Sequence, residues 1–246
     1  MQKETILGYD ICQIEMDKLL ESVFDDFNNG IQNFIVNINP EIVVKNLNNE
    51  VLKEQFNKQK YQIPDGFGIV LASKIMKGNI RNRITGIDLM EAVCKESIRN
   101  NGKIFLYGAK PEVVEKAKIN LETKFENINI VGFYDGYGSE EIAVQKIKES
   151  GADIVFVALG SPKQENFILK NKDILTQVKI FLPVGGSFDV FSNTIKRAPK
   201  WIRKMNLEWL YRLLRQPSRL FRQMKLVSFV MLVLKEKRLK KKQTRK

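Results

Sequence analysis

The chain has 246 residues, with 41 Lys and Arg against 28 Asp and Glu, two cysteines and no histidine. Without histidine, a Ser-His-Asp triad, a Cys-His pair and an HExxH zinc site are all excluded. Cys12 and Cys94 supply neither a four-cysteine zinc site nor a disulfide scaffold, so a reducing, cytosolic compartment is expected. Acid-base chemistry therefore falls to Asp, Glu, Lys, Tyr or a Cys of low pKa.

The positive charge is concentrated at the carboxyl end of the chain. Residues 196–246 hold 18 basic residues and two acidic ones, Glu208 and Glu236, whereas 1–195 hold 23 basic and 26 acidic residues. The sequence therefore predicts an α/β catalytic domain over 1–195 and a basic amphipathic appendage over 196–246. The longest apolar stretch, 226–234, is too short to span a membrane, which takes about 20 residues.

The predicted elements alternate between strands and helices along the chain. The first hundred residues contain a strand at 33–38, a Pro-Asp-Gly turn before a helix at 67–77, and a helix over 88–100. Four β-branched-rich runs follow, and helices are expected from 111 to 125 and after Ser139 and Ser161. The four runs, 25 or 26 residues apart, are 103–107, 128–133, 153–159 and 179–184.

Strand–helix–strand units at this spacing predict a Rossmann-like parallel sheet flanked by helices, with a basic helical appendage. In such sheets ligands bind beyond the carboxyl ends of the strands. Because several of these loops contain glycine, and three are expected to lead into helix N-termini, they favour a nucleotide or sugar-phosphate site. The loops are 37–40, 108–109, 135–138, 160–164 and 185–189.

Several nucleotide-binding patterns are missing from the sequence. It contains no GxGxxG after a first strand, which argues against a dehydrogenase or a methyltransferase, and no GxxxxGK[ST]. It also contains no Asp-x-Asp pair, the usual way in which nucleotide-sugar enzymes hold Mg²⁺ or Mn²⁺. We therefore expect neither a metal nor a cofactor.

An ordered set of blocks covering nearly the whole chain resembles the WecG/TagA/CpsF glycosyltransferases. The most specific blocks are ALGSPKQE, GGSFD and EWLYRL, in that order. The set is VNINPEIVV (36–44), IPDGFGIV (63–70), RITGIDLM (83–90), FLYGAKPEV (105–113), VALGSPKQE (157–165), VGGSFDVFSNTIKRAP (184–199) and LEWLYRLLRQPSR (207–219).

This resemblance implies an inverting, metal-independent transfer of a sugar from a UDP-sugar to an undecaprenyl-diphosphate-linked acceptor. TagA-like members move N-acetylmannosamine onto lipid-linked N-acetylglucosamine in wall teichoic acid synthesis, while others use different sugars for exopolysaccharide. It further implies a cytoplasmic enzyme, peripheral on the inner face of the cell membrane, whose 196–246 segment docks on anionic lipid. A homo-oligomer is left open. A nucleic-acid-binding protein remains the alternative, because a tail so poor in acidic residues also suits RNA.

The resemblance also assigns roles to residues of the first half of the chain. Asp65 matches the proposed general base, although Pro-Asp-Gly is also an ordinary turn in which Asp caps the next helix. Asn37 and Asn39 are expected to contact the sugar or the acceptor, or to form an Asx turn before Pro40. TagA-like members usually carry Thr at the position of Asn37, so the identity of the sugars stays open.

The remaining site residues are predicted at the sheet-edge loops. Arg83 is expected to neutralise diphosphate charge and Gln164 to reach a phosphate oxygen, whereas Lys163 and Glu165 are interpreted as surface residues. Tyr137 is predicted to stack on the uracil and Asp189 to accept from ribose hydroxyls. Backbone at Gly108, Ala109 and Gly186 is predicted to line the nucleotide site.

Arginines of the appendage complete the predicted site. Arg212, Arg219 and Arg222 match the family and share one helical stripe if helix continues past Pro217. Without a metal, the departing UDP requires protein cations. These arginines are therefore expected to contact the donor diphosphate, anionic lipid headgroups, or both.

Overall fold

The structure is a computed structural model that describes residues 1–205, 208–215 and 220–243. The strands within these ranges are β1 (Lys3–Ile6), β2 (Tyr9–Cys12), β3 (Asn33–Phe34), β4 (Val36–Ile38), β5 (Gln62–Pro64), β6 (Lys103–Gly108), β7 (Asn129–Tyr134), β8 (Ile154–Ala158) and β9 (Ile180–Pro183). The helices are α1 (Met16–Asn28), α2 (Pro40–Lys45), α3 (Glu50–Asn57), α4 (Phe67–Met76), α5 (Gly86–Arg99), α6 (Pro111–Lys124), α7 (Glu140–Ser150), α8 (Lys163–Asn171), α9 (Ser187–Phe191), α10 (Lys200–Lys204), α11 (Glu208–Arg215) and α12 (Leu220–Gln243).

A parallel sheet of order β3-β9-β8-β6-β7 forms the centre of the described fold. The chain runs from β3 straight into β4, which pairs in parallel with β5. The Val36 N–H donates to the Tyr61 carbonyl at 2.8 Å, so β5 extends the edge of the sheet. The predicted α/β class and the predicted strands are confirmed, and all these strands end at one edge.

The sheet is buried on both faces, which explains why its strands are continuous apolar runs. In β6, Ile104 and Leu106 join one hydrophobic core while Phe105 and Tyr107 join the other. Successive side chains of a strand point to opposite faces, so a strand covered on both sides needs an apolar residue at every position. The core lined by α1, α5 and α6 lies on one face, and the core lined by α7 and α8 lies on the other.

Several helices begin where the sequence places a capping residue. The side chains of Asn39, Thr85 and Ser139 each accept a hydrogen bond from the backbone N–H three residues later. Each cap satisfies one of the first N–H groups of its helix, which have no partner inside the helix. The predicted helices 67–77, 88–100 and 111–125 correspond to α4, α5 and α6 to within two residues.

The last helix packs lengthwise against the catalytic domain. α12 contacts α2 and α4, and its Phe229 and Val233 are fully buried in the second core. Contact is close at Gly68 of α4, where an added Cβ would collide with Pro40 and Leu226. The opposite side of α12 exposes apolar side chains to solvent. They are Met224, Val227, Met231 and Leu234.

None of the described helices is long and apolar enough to cross a membrane. The sequence predicts a helix lying flat in a membrane interface, which requires one apolar face. α12 has two apolar sides: one packs on α2 and α4, and the other is exposed, so contact with a membrane stays a prediction. The appendage therefore shares a hydrophobic core with the body.

Candidate active site

The ends of β4 and β5 bring Asn39 and Asp65 together. Because the two strands are parallel neighbours, the residues that follow them lie side by side, and Asn39 Nδ2 donates to Asp65 Oδ2 at 3.4 Å. The Asp65 N–H donates to the Ile38 carbonyl at 2.8 Å and fixes the turn. Asn39 Oδ1 accepts from the Ile42 N–H at 2.9 Å, so one amide both caps α2 and contacts the predicted base.

Asn37 lies buried between this pair and the end of β9. Its Nδ2 donates to the Pro183 carbonyl at 2.8 Å, and only 7% of the residue is exposed. Its Oδ1 is also buried and finds no hydrogen-bond partner within the described ranges. A buried amide oxygen without a partner costs about 1–3 kcal/mol. An unpaired acceptor at this edge is therefore suited to a ligand that donates a hydrogen bond.

Gln164 joins the loop after β8 to the loop after β9. Its Oε1 accepts from the Gly185 N–H at 3.1 Å, and its Nε2 donates to Glu165 Oε1 at 2.8 Å. Because both ends of the amide are engaged, its orientation is fixed. Gln164 is 94% buried, so the predicted contact to phosphate is left to its second Nε2 hydrogen.

Glu165 contradicts the interpretation of this turn as surface. Lys163 is exposed as expected, but Glu165 is only 1% exposed, and its Oε2 finds no hydrogen-bond partner in the described part of the chain. Burial raises the pKa of the Glu165 carboxyl, and the hydrogen bond from Gln164 and the nearby Ser161 hydroxyl oppose the rise. The Ser161 hydroxyl lies near the Glu165 carboxyl but makes no hydrogen bond with it in the described part of the structure.

Arg83 lies beside the Asp65 turn but points its guanidinium toward the appendage. The Ile84 N–H donates to the Pro64 carbonyl at 2.8 Å, which places Arg83 next to the end of β5. Its Nη2 donates to the Arg203 carbonyl of α10 at 3.2 Å. Arg83, which is predicted to bind the diphosphate, thus forms a contact between the body and the appendage.

The loops after β6, β7 and β8 meet at the other end of the same edge. The Ala109 N–H donates to the Ala158 carbonyl at 3.0 Å, and the Gly136 N–H donates to the Ala109 carbonyl at 2.8 Å. Gly108 has φ +116°, and a Cβ there would lie 2.5 Å from the Ala158 oxygen, so the approach of these strands requires glycine. Hydrogen bonds therefore link the carboxyl edge from β5 to β7.

The residues predicted to bind the nucleoside lie at this edge with accessible side chains or backbone. Tyr137 is 74% exposed, and its N–H donates to Asp135 Oδ1 at 2.8 Å. Asp189 is half-buried in the first turn of α9, next to the exposed Gly186. Their nucleotide contacts stay predictions.

All five predicted ligand loops lead into helices, two more than the sequence indicated. The N-cap residues of α4, α6 and α8 are Gly66, Lys110 and Pro162, and none of these described residues makes a side-chain cap. Helix N-termini without such caps retain N–H groups and a positive dipole end that favour anions. The N-termini of α4, α6 and α8 therefore offer backbone N–H groups to an anion at this edge.

Three predicted arginines lie outside what the structure describes. Arg219 falls between the described ranges, and the side chains of Arg212 and Arg222 are not among the described ones. Their contacts to diphosphate or lipid stay predictions. Among the described residues, no group of three or more Cys, Asp and Glu side chains is arranged to hold a metal ion.

Sequence reasoning missed Glu165, Asp88 and Arg197 as residues of the edge. A signal existed for Glu165, since it lies three and four residues before Ile168 and Leu169, a helical spacing that places it on an apolar face of α8. None existed for Asp88 and Arg197, whose ion pair joins residues 109 positions apart. A cavity of about 410 Å³ between α5, α6 and α9 is lined by none of the predicted site residues.

Comparison with known proteins gives one consistent result. The sequence model of the Glycosyl transferase WecG/TagA/CpsF family matches residues 4–243. A Bacillus subtilis (strain 168) protein named N-acetylglucosaminyldiphosphoundecaprenol N-acetyl-beta-D-mannosaminyltransferase is 33% identical over 98% of this chain and 94% of its own length. Proteins of the same name from Bacillus spizizenii (strain W23) and Staphylococcus aureus (strain MW2) are 36% and 37% identical, over 97% and 96% of this chain and 93% and 94% of theirs.

Proposed function

Because the chain belongs to the WecG/TagA/CpsF family of glycosyltransferases, we propose that it transfers N-acetylmannosamine from a UDP-sugar to N-acetylglucosamine carried on undecaprenyl diphosphate. The names of its relatives supply the transferred sugar and the acceptor. The observation that carries the proposal is the meeting of Asn39 and Asp65 at the carboxyl edge. This activity belongs to cell-wall or surface-polysaccharide synthesis.

Asp65 is the general base of the proposed reaction. The acceptor hydroxyl oxygen attacks the anomeric carbon of the donor while its proton passes to the Asp65 carboxylate. The bond between the anomeric carbon and the β-phosphate oxygen breaks, and UDP leaves with the electron pair. A carboxylate positioned for this proton transfer contributes about 10²–10⁴-fold to the rate. The Asn39 amide donates to the same carboxylate and orients it.

Protein cations and helix N-termini stabilise the departing diphosphate in this proposal. The uncapped N-termini of α6 and α8 follow β6 and β8, where the nucleotide is expected. Arg83 lies next to the Asp65 turn, and Arg212, Arg219 and Arg222 are the further candidates from the sequence. Because these groups replace a divalent ion, turnover is expected to persist in excess EDTA, and complete loss of activity on chelation would contradict this part.

We also propose that the exposed side of α12 docks the enzyme on an anionic membrane surface. Met224, Val227, Met231 and Leu234 form its apolar stripe, and the last turn adds Lys240, Lys241 and Lys242. Each basic residue near such a surface adds about 1 kcal/mol. Met231→Asp should weaken flotation with phosphatidylglycerol vesicles, whereas Ile119→Asp, at an equally exposed position of α6, should not. Equal loss in both variants would reject α12 as the docking surface.

The decisive experiment measures UDP release from UDP-N-acetylmannosamine in the presence of a lipid-diphosphate-N-acetylglucosamine analogue. Asp65→Asn should lower turnover at least about 100-fold. Asp153→Asn is the matched control, since Asp153 lies at the opposite edge, where its Oδ2 accepts from the Lys103 N–H at 3.1 Å. That control should retain turnover within about twofold.

Three outcomes separate the alternatives. Turnover in the wild type and its loss in Asp65→Asn support both the reaction and the base. UDP binding without turnover points to another sugar, with Asn37 as the first residue to exchange. Absence of UDP binding overturns the glycosyl-transfer proposal for this sugar nucleotide.

A further inference from the structure

Asp88 carries an ion-pair cluster that joins the body to the appendage. It lies in the first turn of α5, and its Oδ1 is 2.5 Å from Arg197 Nη2 and 3.8 Å from Arg203 Nη1. Its Oδ2 accepts from the Thr85 hydroxyl at 2.5 Å. One carboxylate therefore binds two arginines from the segment that follows α9.

The cluster continues into α11. The Arg197 side chain is only 15% exposed, and its Nε lies 3.8 Å from Glu208 Oε1, on a residue that is 5% exposed. Arg197 thus lies between a carboxylate of the body and a carboxylate of the appendage. Arg197 and Glu208 are shielded from water, which strengthens their interaction relative to a surface salt bridge, whereas the Asp88 side chain is 41% exposed.

The same cluster reaches the candidate active site through Arg83. The Arg203 carbonyl accepts from Arg83 Nη2 at 3.2 Å, and Arg83 is held beside the Asp65 turn by the neighbouring Ile84–Pro64 hydrogen bond. Arg203 therefore connects Asp88 to Arg83, because its side chain pairs with Asp88 and its carbonyl accepts from Arg83.

We propose that Asp88 is a positioning residue for sugar transfer, which holds Arg203 so that its carbonyl orients the Arg83 guanidinium at the active-site edge. This inference rests on the proposed function, because Arg83 matters only if a diphosphate is bound there. Asp88 does not touch the substrate. Its effect is on the placement of the first helices of the appendage and, through them, of Arg83.

The protonation of Asp88 agrees with this arrangement. Burial acts to raise the pKa of its carboxyl, but the hydrogen bonds from Thr85 and Arg197 and the charges of Arg197 and Arg203 outweigh burial and lower the pKa. Asp88 is thus anionic throughout the neutral range and loses its charge only in acid. Glu91, one turn later on α5, interacts instead with Lys95 and Lys124 of the body.

The test compares variants of the full chain with two readouts. The first is the rate of tryptic cleavage within 197–215, which reports docking of the appendage without any substrate. The second is UDP release at varied donor concentration. Asp88→Asn should accelerate cleavage and lower kcat about 10- to 100-fold, with the donor KM changed less than about threefold, because the lost contact acts on transition-state geometry.

Two controls separate positioning from simple loss of stability. Asn49→Ala removes the cap of α3, where the Asn49 side chain accepts from the Leu52 N–H away from the cluster, and should lower Tm but keep kcat within about twofold. Glu91→Gln removes a neighbouring carboxylate that does not contact the appendage in the described structure, and should change neither readout. Asp88→Glu should recover part of the activity, since it restores the charge.

A double-mutant cycle completes the experiment. If Asp88 acts through Arg203, the losses of kcat in Asp88→Asn and Arg203→Gln should not multiply when the two are combined. Wild-type kcat in Asp88→Asn, or a loss that only follows Tm, would overturn the proposal. A wild-type enzyme that releases no UDP would reject the proposed function, while the cleavage readout would still decide whether Asp88 docks the appendage.

Discussion

Two buried carboxylates at opposite edges of the sheet differ in how completely they are paired. Asp26 lies at the amino edge and accepts from Lys60 Nζ at 2.7 and 2.8 Å, from the Tyr61 hydroxyl at 2.7 Å and from Asn33 Nδ2 at 3.1 Å. Glu165 lies at the carboxyl edge and accepts from Gln164, while its second oxygen finds no partner within the described residues.

The contrast separates a group that stabilises the fold from groups arranged for a ligand. At Asp26, burial acts to raise the pKa, but the hydrogen bonds from Lys60 and Tyr61 outweigh it and lower the pKa. At Glu165 burial prevails and raises the pKa. An incompletely paired buried acceptor is destabilising. Glu165 and Asn37 each have a buried oxygen without a partner among the described residues, and both lie at the carboxyl edge, which is consistent with a site that a polar substrate completes.

The largest effect on stability is expected from Asp26→Asn. Hydrogen bonds to charged groups contribute about 1.5–3 kcal/mol, so losing the carboxylate should lower Tm by roughly 5–10 °C. Because the pKa of Asp26 is lower in the folded protein than in the unfolded chain, its carboxylate stabilises the fold at pH values above the unfolded pKa. This contribution is lost as the pH falls through the folded pKa. The wild type should therefore lose its advantage over the variant in acid, measured by thermal unfolding between pH 7 and pH 3.

Asp25→Asn is the matched control for this prediction, because Asp25 is the neighbouring residue on α1 and is exposed. Its Tm should stay near that of the wild type. UDP release per folded molecule should be unchanged in both variants. A loss of turnover in Asp26→Asn at a temperature where it is fully folded would reject the division between a stabilising edge and a functional edge.

The second effect is on catalysis, at Gln164. Gln164→Met keeps the volume of the side chain but removes the bridge between Glu165 and the Gly185 N–H. Loss of an oriented polar group at a charged transition state lowers kcat about 10²-fold. Gln145→Met, at an exposed position of α7, is the control and should retain turnover. If Tm falls while kcat is unchanged, the bridge has only a structural role.

Much of this contrast follows from elements that the sequence predicts. The strands are recognisable because burial on both faces makes them continuous apolar runs, and the caps at Asn39, Thr85 and Ser139 mark helix starts. The loops that follow the predicted strands were therefore predictable from local patterns. No strand is predicted at Gln62–Pro64, so the pairing of β4 with β5, which places Asn39 beside Asp65, is known only from the structure.

Long-range pairing of polar groups was not predictable. The basic composition of 196–246 indicates attachment to an anionic surface, yet Arg197 and Arg203 bind Asp88 of the body. Likewise, Glu165 follows a Lys and a Gln in a turn, and only the packing of α8 buries it. Charge patterns identify surfaces, whereas pairing depends on which distant residue the fold places opposite.

Glu165→Gln is expected to raise the stability of the fold, by less than Asp26→Asn lowers it. The amide oxygen still accepts from Gln164, and removing a buried charge should stabilise by on the order of 1 kcal/mol at neutral pH. Because the pKa of Glu165 is higher in the folded protein than in the unfolded chain, the wild type is most stable at pH values below the unfolded pKa. It loses stability as the pH rises through the folded pKa. The Tm difference between variant and wild type should therefore grow from pH 4 to pH 8. Glu115→Gln, at an exposed position of α6, should show no such trend.

The smallest change in stability is expected at Asn37, where the consequence is for specificity. Asn37→Thr restores the residue usual in TagA-like members and removes at most one hydrogen bond, to the Pro183 carbonyl. The free energy of unfolding should therefore change by about 1 kcal/mol or less. If the unpaired Oδ1 contacts the donor sugar, the ratio of kcat/KM for UDP-N-acetylmannosamine over UDP-N-acetylglucosamine should shift several-fold, since tenfold corresponds to about 1.4 kcal/mol. An unchanged ratio with unchanged Tm would place Asn37 outside the sugar-recognition surface and leave its buried oxygen to the acceptor.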